Sequence, residues 1–342
     1  MSSQADQFAG EKMFQQYFFG TLSLTCALVG IPVTVLGLIS FSETHRNVGN
    51  RFMYKLILAV DGTICLMMIP VCVSNYSKWA PGLYQYPFFC QTWSFLWGCV
   101  TRMSVFLIML LNIIRTCSLI MPLRQTNTCW IICPTLIYFM FLAAQSALPL
   151  VMGVEVSYMA VFQCCAWEQT TFFSKLSFLS QCIYYTLAYV VEFVFPLFPI
   201  VASASLSIYK LKYSADAQDG TDETKKYKTQ ATMMILTLTG VYLAFNFPYC
   251  VIITLDAVEY FTKGEFSWSR GMRMPDVTLV YNFIYIHTIA LNSLVNSLIY
   301  VYKMGSIQGI KWKVRCRETA NKGSRRQSSR QRVIAMDAMT IF

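Results

Sequence analysis

Histidine is scarce in this chain: there are two in 342 residues, His45 and His287. A hydrolytic metal centre inside a helical bundle draws on several His and carboxylate side chains from facing helices, and that chemistry has almost nothing to work with here. Charge is scarce too. Only 13% of residues are Asp, Glu, Lys or Arg, against about a quarter in water-soluble domains. With 56% hydrophobic residues, this excludes an ordinary soluble protein and points to the bilayer. The two-residue alternation of a membrane barrel is missing. So is any repeat between spans one to three and five to seven that would mark a secondary transporter. No nucleic-acid partner is expected.

What is present is a series of apolar runs, each near or above the roughly 20 residues a helix needs to cross hydrocarbon. They are Tyr17–Phe41, Phe52–Val73, Gln91–Leu119, Cys129–Val154, Leu176–Ile208, Ala231–Leu255 and Val277–Tyr302. The expected fold is an all-α membrane protein, a bundle of seven transmembrane helices over 17–302. The first run exceeds the apolar core of a signal peptide and has no basic leader, so it is expected to stay as helix one. Twenty of the 27 Lys and Arg fall in segments that share one side if residues 1–16 lie outside. Basic segments are retained in the cytoplasm, which sets a short extracellular N-terminus and a cytoplasmic tail over 303–342.

That tail contains KWKVRCRETANKGSRRQSSRQR. Its start suits an amphipathic helix on the membrane lipid, with Cys316 placed for lipidation, although a basic tail held by anionic lipid alone accounts for it equally. Ser324, Ser328 and Ser329 among arginines suit basic-directed kinases. Most of the thirteen cysteines are scattered singly along apolar runs, where Cys behaves as a small hydrophobe. Cys90 and the pair Cys164 and Cys165 differ, because they fall on the oxidising side; one disulfide is expected, with either member of the pair.

Polar groups inside the apolar runs carry the functional signal, since an ionisable side chain at mid-bilayer costs about 2.5–3.5 kcal/mol on insertion scales. Asp61, Arg102 and Glu192 are such groups, and Arg115 lies at the inner edge of span three. The stretch LNSLVNSLIY places Asn292 and Asn296 four apart, with Ser293 beside them, on one helix face. Asp61 is their natural partner, and plain interhelical hydrogen bonding is the simplest account.

Taken together, these residues resemble the rhodopsin-like G-protein-coupled receptors over roughly residues 17–316. The end of span three, IIRTCSLIMPLR, is similar to the Asp-Arg-Tyr box through Arg115 and Pro122. LNSLVNSLIY resembles the Asn-Pro-x-x-Tyr box through Asn296 and Tyr300. Asp61, Cys90, Trp130 and Pro248 match single positions of the family in spans two, three, four and six. The resemblance implies a plasma-membrane receptor and not an enzyme. It would bind an extracellular ligand through Trp97, Arg102, Glu192, Asn246 and Tyr249, and act on a heterotrimeric G protein and an arrestin. It also implies a sodium ion, an allosteric metal held by Asp61, in a polar cluster with Ser104, Asn292, Ser293 and Asn296. Arg115 and Tyr300 would serve as the G-protein switch.

Departures from the family pattern matter equally. Ile114 stands in place of the acid that pairs with the switch arginine, Lys228 lies near an acidic position, Asn246 replaces a Trp and Ser297 a Pro, and Gly30 lies near a missing Asn. Arg115 is therefore expected to lack an acidic restraint. With Trp97 at the amine-binding Asp position and Ala290 at the Schiff-base Lys position, neither a simple amine nor retinal is the expected ligand. The competing readings are a receptor-like protein that binds without signalling and a seven-span transporter.

Overall fold

A computed structural model describes residues 2–43, 48–76, 87–120, 129–151, 156–159, 164–167, 195–213, 222–263 and 283–302, with the single positions 180 and 183. The chain divides into two units, Met1–Ile299 and Tyr300–Phe342. Glu192, Cys316, His45 and the serines and arginines of the tail lie outside the described residues, as does most of the apolar run before Pro196.

In the first unit, α1 is Ser2–Glu43, α2 Val48–Tyr76, α3 Pro87–Ile120 and α4 Cys129–Val151. Then come two strands, β1 Val156–Met159 and β2 Cys164–Trp167, followed by α5 Phe195–Tyr213 and α6 Asp222–Lys263. A π-helical turn, Phe283–Thr288, opens the last helix among the described residues of this unit, α7, over 283–299. Five helices contain a stretch long and apolar enough to cross a bilayer: Tyr17–Ile39, Phe52–Val73, Phe88–Ile120, Cys129–Leu148 and Ala231–Pro248. These coincide with five of the seven expected spans. The other two runs are described only in part.

Two helices overrun their apolar windows. α1 begins at Ser2, so the polar leader is helical and not a separate segment; apart from Gly10, it holds mostly Ala, Glu, Gln, Lys and Met, with no Pro to stop propagation. α6 begins at Asp222, so the charged run DETKKYK is also helical and the connection from α5 is confined to 214–221. α6 passes through Pro248 unbroken, as apolar surroundings allow when neighbouring groups take up the freed carbonyl.

Many polar side chains in the bundle are satisfied by their own helix. The hydroxyls of Thr25, Thr63, Thr92, Thr101 and Thr135 each donate to the carbonyl four residues back, at 2.6–2.8 Å. In this way a hydroxyl enters the bilayer without waiting for tertiary contact.

α1 and α2 pack closely along their length, and two glycines permit it. A Cβ on Gly30 would collide with the Cys65 sulfur, and one on Gly62 would lie 2.6 Å from Thr34 Cγ2. Small residues at such contacts let helices gain dispersion energy in an environment that offers no hydrophobic drive. Cys26, Cys65, Met68, Trp93, Ile286 and Leu294 belong to one buried cluster shared by α1, α2, α3 and α7. α3 is the central element, packing against α2, α4, α5, α6 and both strands. α4 is peripheral: only 22% of its apolar window is buried.

β1 and β2 form an antiparallel hairpin, with Val156 opposite Trp167 and Met159 opposite Cys164. It lies on α3 and, through β2, on α2. Replacing Gly30 by Leu is expected to force α1 off α2 at a cost of about 1–3 kcal/mol. Gly240→Ala, where a Cβ meets nothing within 4 Å, is expected to be tolerated. Thermal unfolding in detergent should lower the midpoint of the first variant and not the second.

Candidate functional site

Three helices converge on Asp61. It sits on α2, fully buried, and its Oδ1 accepts a hydrogen bond from Ser104 Oγ of α3 at 2.8 Å. Ser293 and Asn296 of α7 lie close enough to act on the same carboxyl, but neither closes a direct hydrogen bond of good geometry to it. Asp61 Oδ2, Ser293 Oγ, and Asn296 Oδ1 and Nδ2 are thus buried atoms without a direct partner, and Asn292 Oδ1 on the same helix is another. Such groups cost about 1–3 kcal/mol each when left unpaired, so their gathering at one point is the least ordinary feature of the bundle interior. A carboxylate, two amide oxygens and hydroxyls are hard oxygen donors of the kind a hard cation takes. The residue types therefore fit the sodium expectation.

A second polar zone lies towards the C-terminal end of α3, where three residues within five positions each reach a neighbouring helix. Arg115 donates from Nε and Nη2 to the single Thr232 Oγ1 of α6, at 3.0 and 2.7 Å. Asn112 binds its own helix through Nδ2 to the Ile108 carbonyl, which leaves Oδ1 to accept from Thr239 of α6 at 3.0 Å. Thr116 lies 3.0 Å from both the Ser203 carbonyl and Ser207 Oγ of α5.

The expectation for Arg115 concerned an acidic restraint; the structure gives it a hydroxyl partner, Thr232. Ile114 gives it no acid, but the buried Thr232 hydroxyl, with two acceptor lone pairs, takes two of its N–H donors. Thr232 and Thr239 were invisible in the sequence because a threonine that bonds to another helix, accepting as Thr232 does or donating as Thr239 does, looks like one that back-bonds to its own.

Ser297, which stands where the family has Pro, is also used: its hydroxyl is 3.2 Å from Thr34 Oγ1, joining α7 to α1. His287, in the π turn, is fully buried. Its Nε2 lies 3.2 Å from Ser23 Oγ and its ring stacks on Phe19 at 4.5 Å. It fastens α7 to α1.

The expected ligand residues are described only in part. Trp97 is half-buried and stacks on Trp93, with centroids 5.2 Å apart and planes 7° from parallel. Arg102 is half-buried on α3. Asn246 is buried and turns its Nδ2 to the Tyr242 carbonyl of its own helix, 2.9 Å away. The Tyr249 side chain and Glu192 lie outside the described residues. A cavity of about 370 Å³ lined by Tyr17, Phe18, Thr21, Leu22 and Thr25 opens on α1, away from all of these. Thr21 is already bonded there to Tyr76 at 2.8 Å.

Cys90 is disulfide-bonded. Cys26, Cys65, Cys72, Cys99, Cys117, Cys129, Cys133 and Cys250 are free thiols, which leaves the partner among the remaining cysteines. β2, which carries Cys164 and Cys165, is the strand that packs on α3 and α2. Tyr300 is helical and begins the second unit.

The chain matches no protein-family model and no curated protein.

Non-reducing peptide mapping is expected to join the Cys90 peptide to the one holding Cys164 and Cys165. Thr232→Val is expected to free the Arg115 guanidinium. Spin labels on α3 and α6 near those residues should then report a longer or broader distance than in the unsubstituted protein.

Proposed function

We propose that the protein is a rhodopsin-like receptor that binds an extracellular ligand within its helix bundle and drives nucleotide exchange on a heterotrimeric G protein. The observation that carries this reading is the hold of Arg115 on Thr232, a charged side chain of the central helix closed onto α6 by one hydroxyl. A contact of that kind defines two states, one with α6 held and one with it released, and a ligand that favours the second shifts the balance by its differential affinity. Hydrogen bonds to charged groups are worth about 1.5–3 kcal/mol, so the contact is strong enough to restrain α6 and weak enough for a bound ligand to overcome.

The Asp61 centre supports the same reading. Its five oxygen-bearing residues suit a sodium ion, which would add positive charge where the carboxyl and the amide oxygens of α2 and α7 meet. Asp61 holds Ser104 of α3 in place, while Ser293 and Asn296 bring α7 to the same point. A change in their spacing would be felt by all three helices. The membrane-length helices support a multi-pass membrane protein, and the basic asymmetry of the sequence supports a plasma-membrane orientation with the N-terminus outside.

The test is nucleotide exchange on a panel of co-expressed G proteins. Low basal exchange is expected from the unsubstituted protein, with roughly a tenfold rise in Thr232→Val if one charged hydrogen bond holds the closed state. Normal surface expression with no exchange from either protein, for any G protein, would sink the transducer reading and leave a receptor-shaped binder. Separately, sodium chloride is expected to raise the unfolding midpoint above that in potassium chloride at equal ionic strength. Asp61→Asn should abolish the difference.

A further inference from the structure

Cys129 and Cys133 open α4. Both are exposed free thiols, and their sulfurs lie 3.4 Å apart. The side of the membrane on which they lie follows from α3. Cys90, near its N-terminal end, is disulfide-bonded, which assigns that end to an oxidising compartment. α3 spans Pro87–Ile120, about 50 Å at 1.5 Å per residue, enough to cross the whole bilayer with its interfaces. α4 starts nine residues after Ile120, so its first turns lie on the opposite, reducing side, where two touching thiols stay reduced.

The surface below them is apolar and faces outward. Trp130 is 65% exposed and marks the interface, and Ile132, Leu136, Ile137 and Met140 continue as an exposed stripe at helical spacing. From Cys129 to Met140 the helix rises about 16 Å, on the scale of a long saturated chain laid along it. α4 packs on α3 by its other face, so the stripe is free to take such a chain.

We propose that this thiol pair is a site of S-acylation by a long-chain acyl thioester, with Cys129, at the aqueous edge, as the acceptor. Its sulfur attacks the thioester carbonyl carbon; the new sulfur–carbon bond forms as the donor's carbon–sulfur bond breaks. The proton of the Cys129 thiol passes to the released donor thiol, and nothing is oxidised or reduced. Cys133, one turn deeper, touches the same sulfur and lines the start of the apolar stripe. The chain then lies along Ile132, Leu136 and Met140 and fixes the least buried helix of the bundle to its lipid. The proposal rests on the side of the membrane set by Cys90 and not on the receptor reading.

The experiment is exchange of thioester-linked acyl groups for a polyethylene glycol mass tag on the full chain expressed in eukaryotic cells. One hydroxylamine-dependent mass step is expected that survives in Cys133→Ala and Cys316→Ala and is lost in Cys129→Ala. Mass spectrometry of the unsubstituted peptide containing residues 129–133 gives a reading that no folding defect of a variant can disturb, and an acyl mass increment is expected on it. Retention of every step in the Cys129→Ala/Cys133→Ala double variant, or a fully unmodified peptide, overturns the proposal.

Discussion

A polar group that leaves water for hydrocarbon must find its partner inside the protein, and most of this bundle's architecture answers that demand. The threonines that bond back to their own helices answer it locally and cost no specificity. Asn112, Arg115 and Thr116 answer it across helices, and because they follow one another on α3 they bind α5 and α6 at nearly one level. Ser104, one face further along the same helix, does so for Asp61 of α2. α3 is therefore the common polar partner of α2, α5 and α6, and removing it would strand polar groups on these three neighbours.

The two polar zones differ in kind. Around Arg115, donors meet acceptors directly, with two N–H groups sharing the Thr232 hydroxyl oxygen, as in a closed contact. Around Asp61 there is more capacity than direct bonding uses, with Asn292, Ser293 and Asn296 all presenting buried oxygens. On the receptor reading these are complementary: a closed contact supplies a threshold, and an unsaturated centre supplies something an ion or a rearrangement can act upon.

The membrane helices were legible because roughly 20 apolar residues have one stable solution in a bilayer. Asp61 and its partners were legible because charge and amides in such runs are conspicuous. Their convergence followed from spacing alone for Asn292 and Asn296, but Ser104 entered only through family likeness. Thr232 and Thr239 were not legible, since threonine is commonplace in these helices and only tertiary packing selects which ones bond to α3. The hairpin of β1 and β2 was also hidden: four-residue strands carry too little pattern to stand out, and their place on α3 is set by packing. The helical extensions of α1 and α6 were missed because the eye stops at the last apolar residue, whereas backbone bonding runs on until something interrupts it.

The glycine contacts between α1 and α2 have a mechanical consequence. Gly30 seats Cys65 and Gly62 seats Thr34, each in a space that admits no other side chain, and the two lie on opposite helices so that each backbone is keyed into the other. A pair keyed in both directions resists sliding and rotation alike. On the receptor reading, a working stroke would fall to α5 and α6, which Thr116 and Thr232 join to α3, while α1 and α2 serve as the fixed frame against which it is made.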